Sequence, residues 1–371
     1  PGTINFGQHM VLGGSATTFN AAANGRFVHT PPTGAKALNS DNMPAGTSKI
    51  TAWAWIKNRS ASGASDTSHI LVDRLRGVGK VLNTDTTTVE ETDAASQDTV
   101  QRFFQRGVRI GNDVQVSTYS EEFVLWQWLV GESATTGTAN DSGSINSTVI
   151  AAEPGHFSIV SWTGNTTAGA TVGHGLGGTP EFIIAIARNE NGENKPVYHK
   201  DIVTADTDHI KINELNPKST AGTTIWDVSA MSSTVFGLGA AAQSNSSNAS
   251  GMIAYCFRSV PGVCKVGAFT GNGAADGPFV NCGFKPAWLI QKNTTASEHW
   301  SVHDIVRNPF NPLDEFMKAS SNQPKQTSGS NDFDFLSDGF KARGTDGRVN
   351  NAGKLHVYMA MAEIGGNGTL P

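Results

Sequence analysis

The chain has 371 residues, 41 of them glycine, with 16% charged side chains and a formal net charge of −5. That length suits about two or three domains, and the glycine, Ser, Thr, Asn and Ala mark a turn-rich β protein rather than a helical one. No Lys/Arg cluster suits nucleic acid, and no apolar run nears the ~18 residues of a bilayer span.

Residues 1–48 show a strand pattern only at Gly25–Thr30. Pro31 and Pro32 forbid helix and favour extended backbone. The segment reads as an ordered N-terminal strap packed along the first module. At 49–131, Ile50, Ala52, Ala54 and Ile56 alternate with Trp53 and Trp55, so this strand is expected to be covered on both faces. Within 85–106, Thr87-Thr88-Val89-Glu90-Glu91 and then Val100 to Phe104 have helical character. Residues 132–154 are mostly small and polar and read as a linker. Phe157 to Asn165 and Val266 to Asn272 share the ending Thr-Gly-Asn, followed by a Gly-rich turn and a proline (Pro180, Pro286) at a strand start, where a missing N–H is tolerated. The 49–131 segment has no such opening hairpin, and the strap is the candidate to cover its edge. Cys256, Cys264 and Cys282 are an odd, sparse set, so the chain suits a reducing cytoplasm and no disulfide framework is expected.

One phrase recurs three times. Thr51–Asn58 leads to His69–Asp73, Pro180–Asn189 to Val197–Asp201, and Phe284–Asn293 to Trp300–Asp304. The copies close on Trp126/Trp128, Tyr255/Phe257 and Met359/Met361. Lys57 and Arg188 are 131 residues apart, Asp73 and Asp201 128, Trp128 and Phe257 129; the next intervals are 104, 103 and 104. Such a period exceeds the ~20–50 residues of solenoids. The reading is all-β: three tandem antiparallel β-sandwich modules at 49–131, 155–260 and 261–371, preceded by the extended N-terminal strap 1–48, with the linker between modules one and two. Val124, Trp126 and Trp128 are expected to line one core, Ile253, Tyr255 and Phe257 the next, and Val357, Met359 and Met361 the third, each between two sheets ~10 Å apart.

Candidate chemistry is thin. Gly173 to Gly178 fits G-x-G-x-x-G, but a strand rather than a helix comes after it, so it reads as a hairpin turn. Asp73, Asp201 and Asp304 recur, yet neither a second carboxylate for glycoside hydrolysis nor a set of oxygens for Ca²⁺ recurs with them; they read as strand-end caps. His69, His199 and His303 lack metal-ligand spacing, and no Ser sits in a nucleophile elbow. The pairs Trp53/Trp55 and Trp126/Trp128 could stack sugar rings, but read as core. No catalytic, cofactor-binding or metal residue is assigned, no cofactor is expected, and the binding residues are left open.

Phe269 to Val280, Gly283 to Trp288, Asp334 to Phe340, Met252 to Phe257 and Phe27 to Asn39 together resemble tandem modules in tail-fibre and other virion structural proteins of tailed bacteriophages, notably marine and cyanobacterial ones. The resemblance covers nearly the whole chain. It implies a non-enzymatic virion protein, assembled in the bacterial host cytoplasm, that works as a tail fibre or tail-associated adhesion protein. A capsid decoration protein and a glycan-binding or glycan-cleaving tail protein are the alternatives. Expected partners are other virion proteins, host surface glycan and copies of itself, as a trimer. Relatives often carry an upstream lectin-like sandwich ending in a phrase similar to Asn5-Phe6-Gly7, so this chain reads as a fragment or a shortened protein, which raises the decorating role.

Overall fold

The computed structural model describes residues 9–10, 15–20 and 49–365, apart from 61–67, 94–98, 105–106, 119–120, 132–133, 135, 221, 223, 250 and 363; at 9–20 and 364–365 it describes backbone alone. The protein is mainly β, in several antiparallel sheets. Three large sheets share one strand order: opening, closing, second, third. In repeat one these are Ser15–Asn20, Glu122–Gly131, Lys49–Asn58 and Ile70–Asp73. In repeat two they are Phe157–Trp162, Met252–Phe257, Phe182–Ala187 and Pro196–His199, and in repeat three Cys264–Thr270, Leu355–Ala362, Pro286–Asn293 and Ser301–Asp304.

The opening strand of repeat one lies at 15–20 in the strap, with Ala16 opposite Trp126. It takes the place beside the closing strand that Phe157–Trp162 and Cys264–Thr270 take in the other repeats. The stretch 25–30, where a strand was expected, lies outside the described residues. Other expectations fail. Thr87–Glu91 forms no helix, and Glu91–Thr92 is a short strand. Val100–Phe104 pairs with Gly107–Ile110 as a β-hairpin rather than a helix, and a register shift after Val100 puts Val100, Phe103, Val108 and Ile110 together against the large sheet. The expected linker holds strands Thr138–Asn140 and Ser147–Ala151, which extend the sheet of repeat two; Val149 and Ile150 are buried there.

Each large sheet is covered on both faces. Ala54, Ile56, Ile70, Val72, Phe123 and Leu125 pack against the 100–110 hairpin in a core private to repeat one. Repeats two and three carry small three-stranded sheets instead, built from Ala170–Gly173, Val235–Leu238 and Trp226–Asp227, and from Phe279–Asn281, Gly339–Ala342 and Phe333–Leu336. The inner faces of all three large sheets meet in one cluster. Trp53 stacks on Tyr255 with ring centroids 4.0 Å apart, Trp128 meets Trp288 edge-on at 5.5 Å, and Phe182 meets Trp300 at 6.0 Å. The three separately expected cores are therefore joined. Every residue named for them, from Val124 to Met361, belongs to this one cluster. The reason is size. The four indoles paired on neighbouring strands of repeat one are large, and Tyr255 and Phe157 of repeat two and Trp288 of repeat three complete their burial.

A one-turn helix precedes each closing strand, at Val114–Ser117, Ala242–Asn245 and Gly347–Asn350. In repeats two and three its last residue explains the Thr-Gly-Asn phrase. The Asn245 side chain accepts from Asn165 N–H at 2.9 Å and donates to Thr167 and Gly239 carbonyls. Asn350 does the same with Asn272, Ala274 and Gly344. A Cβ at Gly164 would fall 2.4 Å from the Asn245 backbone, and at Gly271 2.3 Å from that of Asn351, so only glycine lets the chains approach. Strand His9–Met10 pairs with Ile364–Gly365, joining the two ends of the described chain.

Candidate functional site

The recurrent polar residues sit at the seams between repeats. Register defines which positions are equivalent. Trp53, Phe182 and Trp288 face Trp128, Phe257 and Met361 on one side, and Asp73, His199 and Asp304 on the other. His199, rather than Asp201, is thus the counterpart of the two aspartates. Asp201 lies two residues beyond the strand, is partly exposed and pairs with Lys200 at 2.9 Å. The offset arises because the third strand of repeat two ends at His199.

Asp73 accepts hydrogen bonds from the Arg76 backbone N–H and guanidinium and from the Tyr255 hydroxyl at 2.9 Å, so repeat one is tied to repeat two. Burial opposes the charge on Arg76, but Asp73, Tyr255 and Glu90 more than offset it and raise its pKa. Asp304 repeats the pattern. It accepts from the Arg307 backbone N–H and guanidinium, and from Trp126 Nε1 at 3.1 Å, tying repeat three to repeat one. At the third seam the partners change together. Met359, which has no donor, replaces the tyrosine and tryptophan; His199 replaces Asp; Ile202 replaces Arg. His199 Nε2 faces the Tyr358 carbonyl at 3.4 Å, and burial lowers its pKa to about 4.

A second set runs the opposite way round the ring. His69 Nε2 faces the Lys318 carbonyl at 3.0 Å, Trp300 Nε1 donates to Lys211 O at 2.8 Å, and Lys195 Nζ donates to Asn83 O. The basic residues do likewise: Lys57 donates to Asn322 O at 3.0 Å, Lys292 donates to Leu215 O at 2.9 Å, and Arg188, which lies past the strand whose Ile186 holds the position of the two lysines, pairs with Glu90 at 2.8 Å. Burial lowers the pKa of Lys57 and Lys195 to about 8 and of Lys292 to about 7. These groups fasten the ring, which leaves the two seam aspartates no free oxygen chemistry.

The other expected candidates are also accounted for. His303 is fully buried between Phe316 and Phe333, and desolvation lowers its pKa to about 3. The Gly173–Gly178 stretch is not the hairpin turn expected: Ala170–Gly173 pairs with Val235–Leu238 in a small sheet while Phe182–Ala187 belongs to the large sheet, so the stretch, with Gly175 and Gly177 at φ of 70° and 66°, crosses between sheets. Cys256, Cys264 and Cys282 are free and buried. Among the described residues no group of three His, Cys, Asp or Glu side chains could hold a metal ion. Two clefts remain. One of about 430 Å³ lies at the third seam, between Ile202, Lys218 and Thr294. Another of about 410 Å³ lies in repeat one, between Arg74, Arg102 and Phe103. Residue spacing alone missed the second, because it depends on the register of the 100–110 hairpin.

The model of a family described as a domain of unknown function, DUF7483, matches residues 33–364. The chain belongs to the DUF7483 family. The DUF7483 match takes in strands of all three large sheets, every one except the 15–20 strand of repeat one. No curated protein and no solved structure matches the chain.

Proposed function

We propose that this DUF7483 chain is a non-catalytic bacteriophage virion protein, a tail fibre or tail-associated adhesion protein that contacts the host surface. In this reading its three repeats are tandem sandwich modules preceded by the strap, fused at their inner faces. The observation that carries the reading is that all eight tryptophans are at most 3% exposed. A sugar-cleaving tail enzyme needs a groove with two converging carboxylates, usually beside an exposed aromatic platform. Here the indole rings lie in the core, and the repeated carboxylates of Asp73 and Asp304 are held at the seams. Glycine-, Ser- and Thr-rich surfaces with few charges also suit close packing between copies and with other virion proteins. Homo-oligomers, a trimer first among them, multiply weak identical contacts. The seams close within one chain, so such an assembly uses outward surfaces.

The test is electron cryomicroscopy of phage particles carrying this chain with a small tag. Density for the tag on the tail supports the adhesion role, density on the capsid supports decoration, and tag-free purified particles overturn both. Light scattering on the purified chain reads the oligomer directly.

A further inference from the structure

The hairpin Val100–Phe104/Gly107–Ile110 of repeat one and the hairpin Phe333–Leu336/Gly339–Ala342 of repeat three are built alike. Phe103 faces Val108 as Phe335 faces Phe340, and Phe104 meets Gly107 as Leu336 meets Gly339. At the next pair the chemistry differs. Repeat three sets Asp334 opposite Lys341, and Asp334 also pairs with Arg343 at 3.1 Å. Repeat one sets Arg102 opposite Arg109. Like charges directly opposite on a sheet face are destabilising. Arg109 Nε is buried without a hydrogen-bond partner, and Arg102 is exposed, with its guanidinium 5.2 Å from the Phe104 ring. Burying a guanidinium donor unpaired is costly.

Arg102 also lines the 410 Å³ cleft, together with Arg74, Gln101 and the apolar Ile50, Val78 and Phe103; among the described residues none in the lining is acidic. Guanidinium groups bind carboxylates and phosphates through paired N–H donors. A cleft of this size exceeds a bare ion. The Gln101 amide suits sugar hydroxyls, and the apolar wall suits the C–H face of a ring.

We propose that this cleft binds an acidic sugar, a hexose unit carrying a carboxylate or a phosphate, with Arg102, which the like charge of Arg109 leaves without a cross-strand partner, as its anion contact. Only the source of that sugar, a host surface polysaccharide, rests on the adhesion reading. The probes are hexagalacturonate, glucose 6-phosphate and neutral dextran, titrated calorimetrically into the full chain. One or both acidic sugars are expected to bind, weakening as salt rises, and dextran is expected not to. Arg102→Asp recreates the pairing of repeat three, so it is expected to raise Tm while lowering affinity at least tenfold; Arg102→Gln is expected to lower affinity as well. Undiminished binding by Arg102→Asp, equal binding of dextran, or no binding of either acidic sugar overturns the proposal. These readouts are independent of where the tag appears on the particle, so the adhesion reading and the sugar site can fail separately.

Discussion

Trp126 and Trp128 lie two positions apart on one strand and face the same core, but their indole N–H groups meet different fates. Trp126 donates to Asp304, whereas Trp128 Nε1 is buried without a partner. Replacing either with Phe removes a similar volume. Only Trp126→Phe takes a donor from a buried carboxylate, and a hydrogen bond to a charged group contributes about 1.5–3 kcal/mol. Trp126→Phe is therefore expected to cost about that much more than Trp128→Phe, measured by urea unfolding; equal losses would show that the seam bond contributes nothing. Histidine argues at the same scale. Burial lowers the pKa of His156 and His303 to about 3 and of His174, His199, His299 and His356 to about 4. Each folded value lies below the ordinary 6.5. Between the two the unfolded chain binds more protons, so stability rises with pH through this window and is lost as the pH falls from about 6.5 toward 4. Tm measured across that range is expected to drop steeply, and a flat profile would contradict the buried neutral imidazoles.

At the scale of elements, the strand at 15–20 has a structural task. It pairs along Glu122–Gln127 of the closing strand of repeat one, the place that Phe157–Trp162 and Cys264–Thr270 fill in the other repeats. Removing it leaves a long edge of unpaired N–H and C=O groups on an almost wholly buried strand, a template for association with other chains. Deletion of residues 1–20 is expected to lower Tm and to give aggregates in light scattering, with far-UV circular dichroism still dominated by β-structure. A deletion variant as soluble and as stable as the full chain would show that the pairing is dispensable.

At the scale of the molecule, the shared core couples the repeats. Trp53 of repeat one lies against Tyr255 and Phe157 of repeat two, and Trp288 of repeat three lies against Trp55, Trp126 and Trp128. Unfolding any one repeat strips aromatic surface from both others. Calorimetry is expected to give a single transition with a van't Hoff enthalpy close to the calorimetric one. Three resolved transitions would mean that the repeats are held by their private cores. Trp53→Ala is expected to cost about 3–5 kcal/mol and to lower that single transition rather than detach one part of it.

The sequence by itself determined the β class, the three copies and their landmarks, because alternation of apolar side chains and repeated spacing are local properties of the chain. It also placed the tryptophans in a core. It misread Gly173–Gly178 as a hairpin turn, where the chain crosses between two sheets, and Val100–Phe104 as helical, since only its pairing with Gly107–Ile110 and the face buried against the large sheet fix it as a strand. It misread Thr138–Asn140 and Ser147–Ala151 as linker, since short, weakly apolar strands take their structure from the sheet edge they join. Only tertiary structure decided that His199 rather than Asp201 answers to Asp73 and Asp304, because strand register is set by pairing with a distant partner. The same holds for Arg102 facing Arg109. The joining of three cores into one was likewise invisible in the chain, since a residue's periodicity says that a face is buried but not what covers it, and here the cover comes from residues more than a hundred positions away.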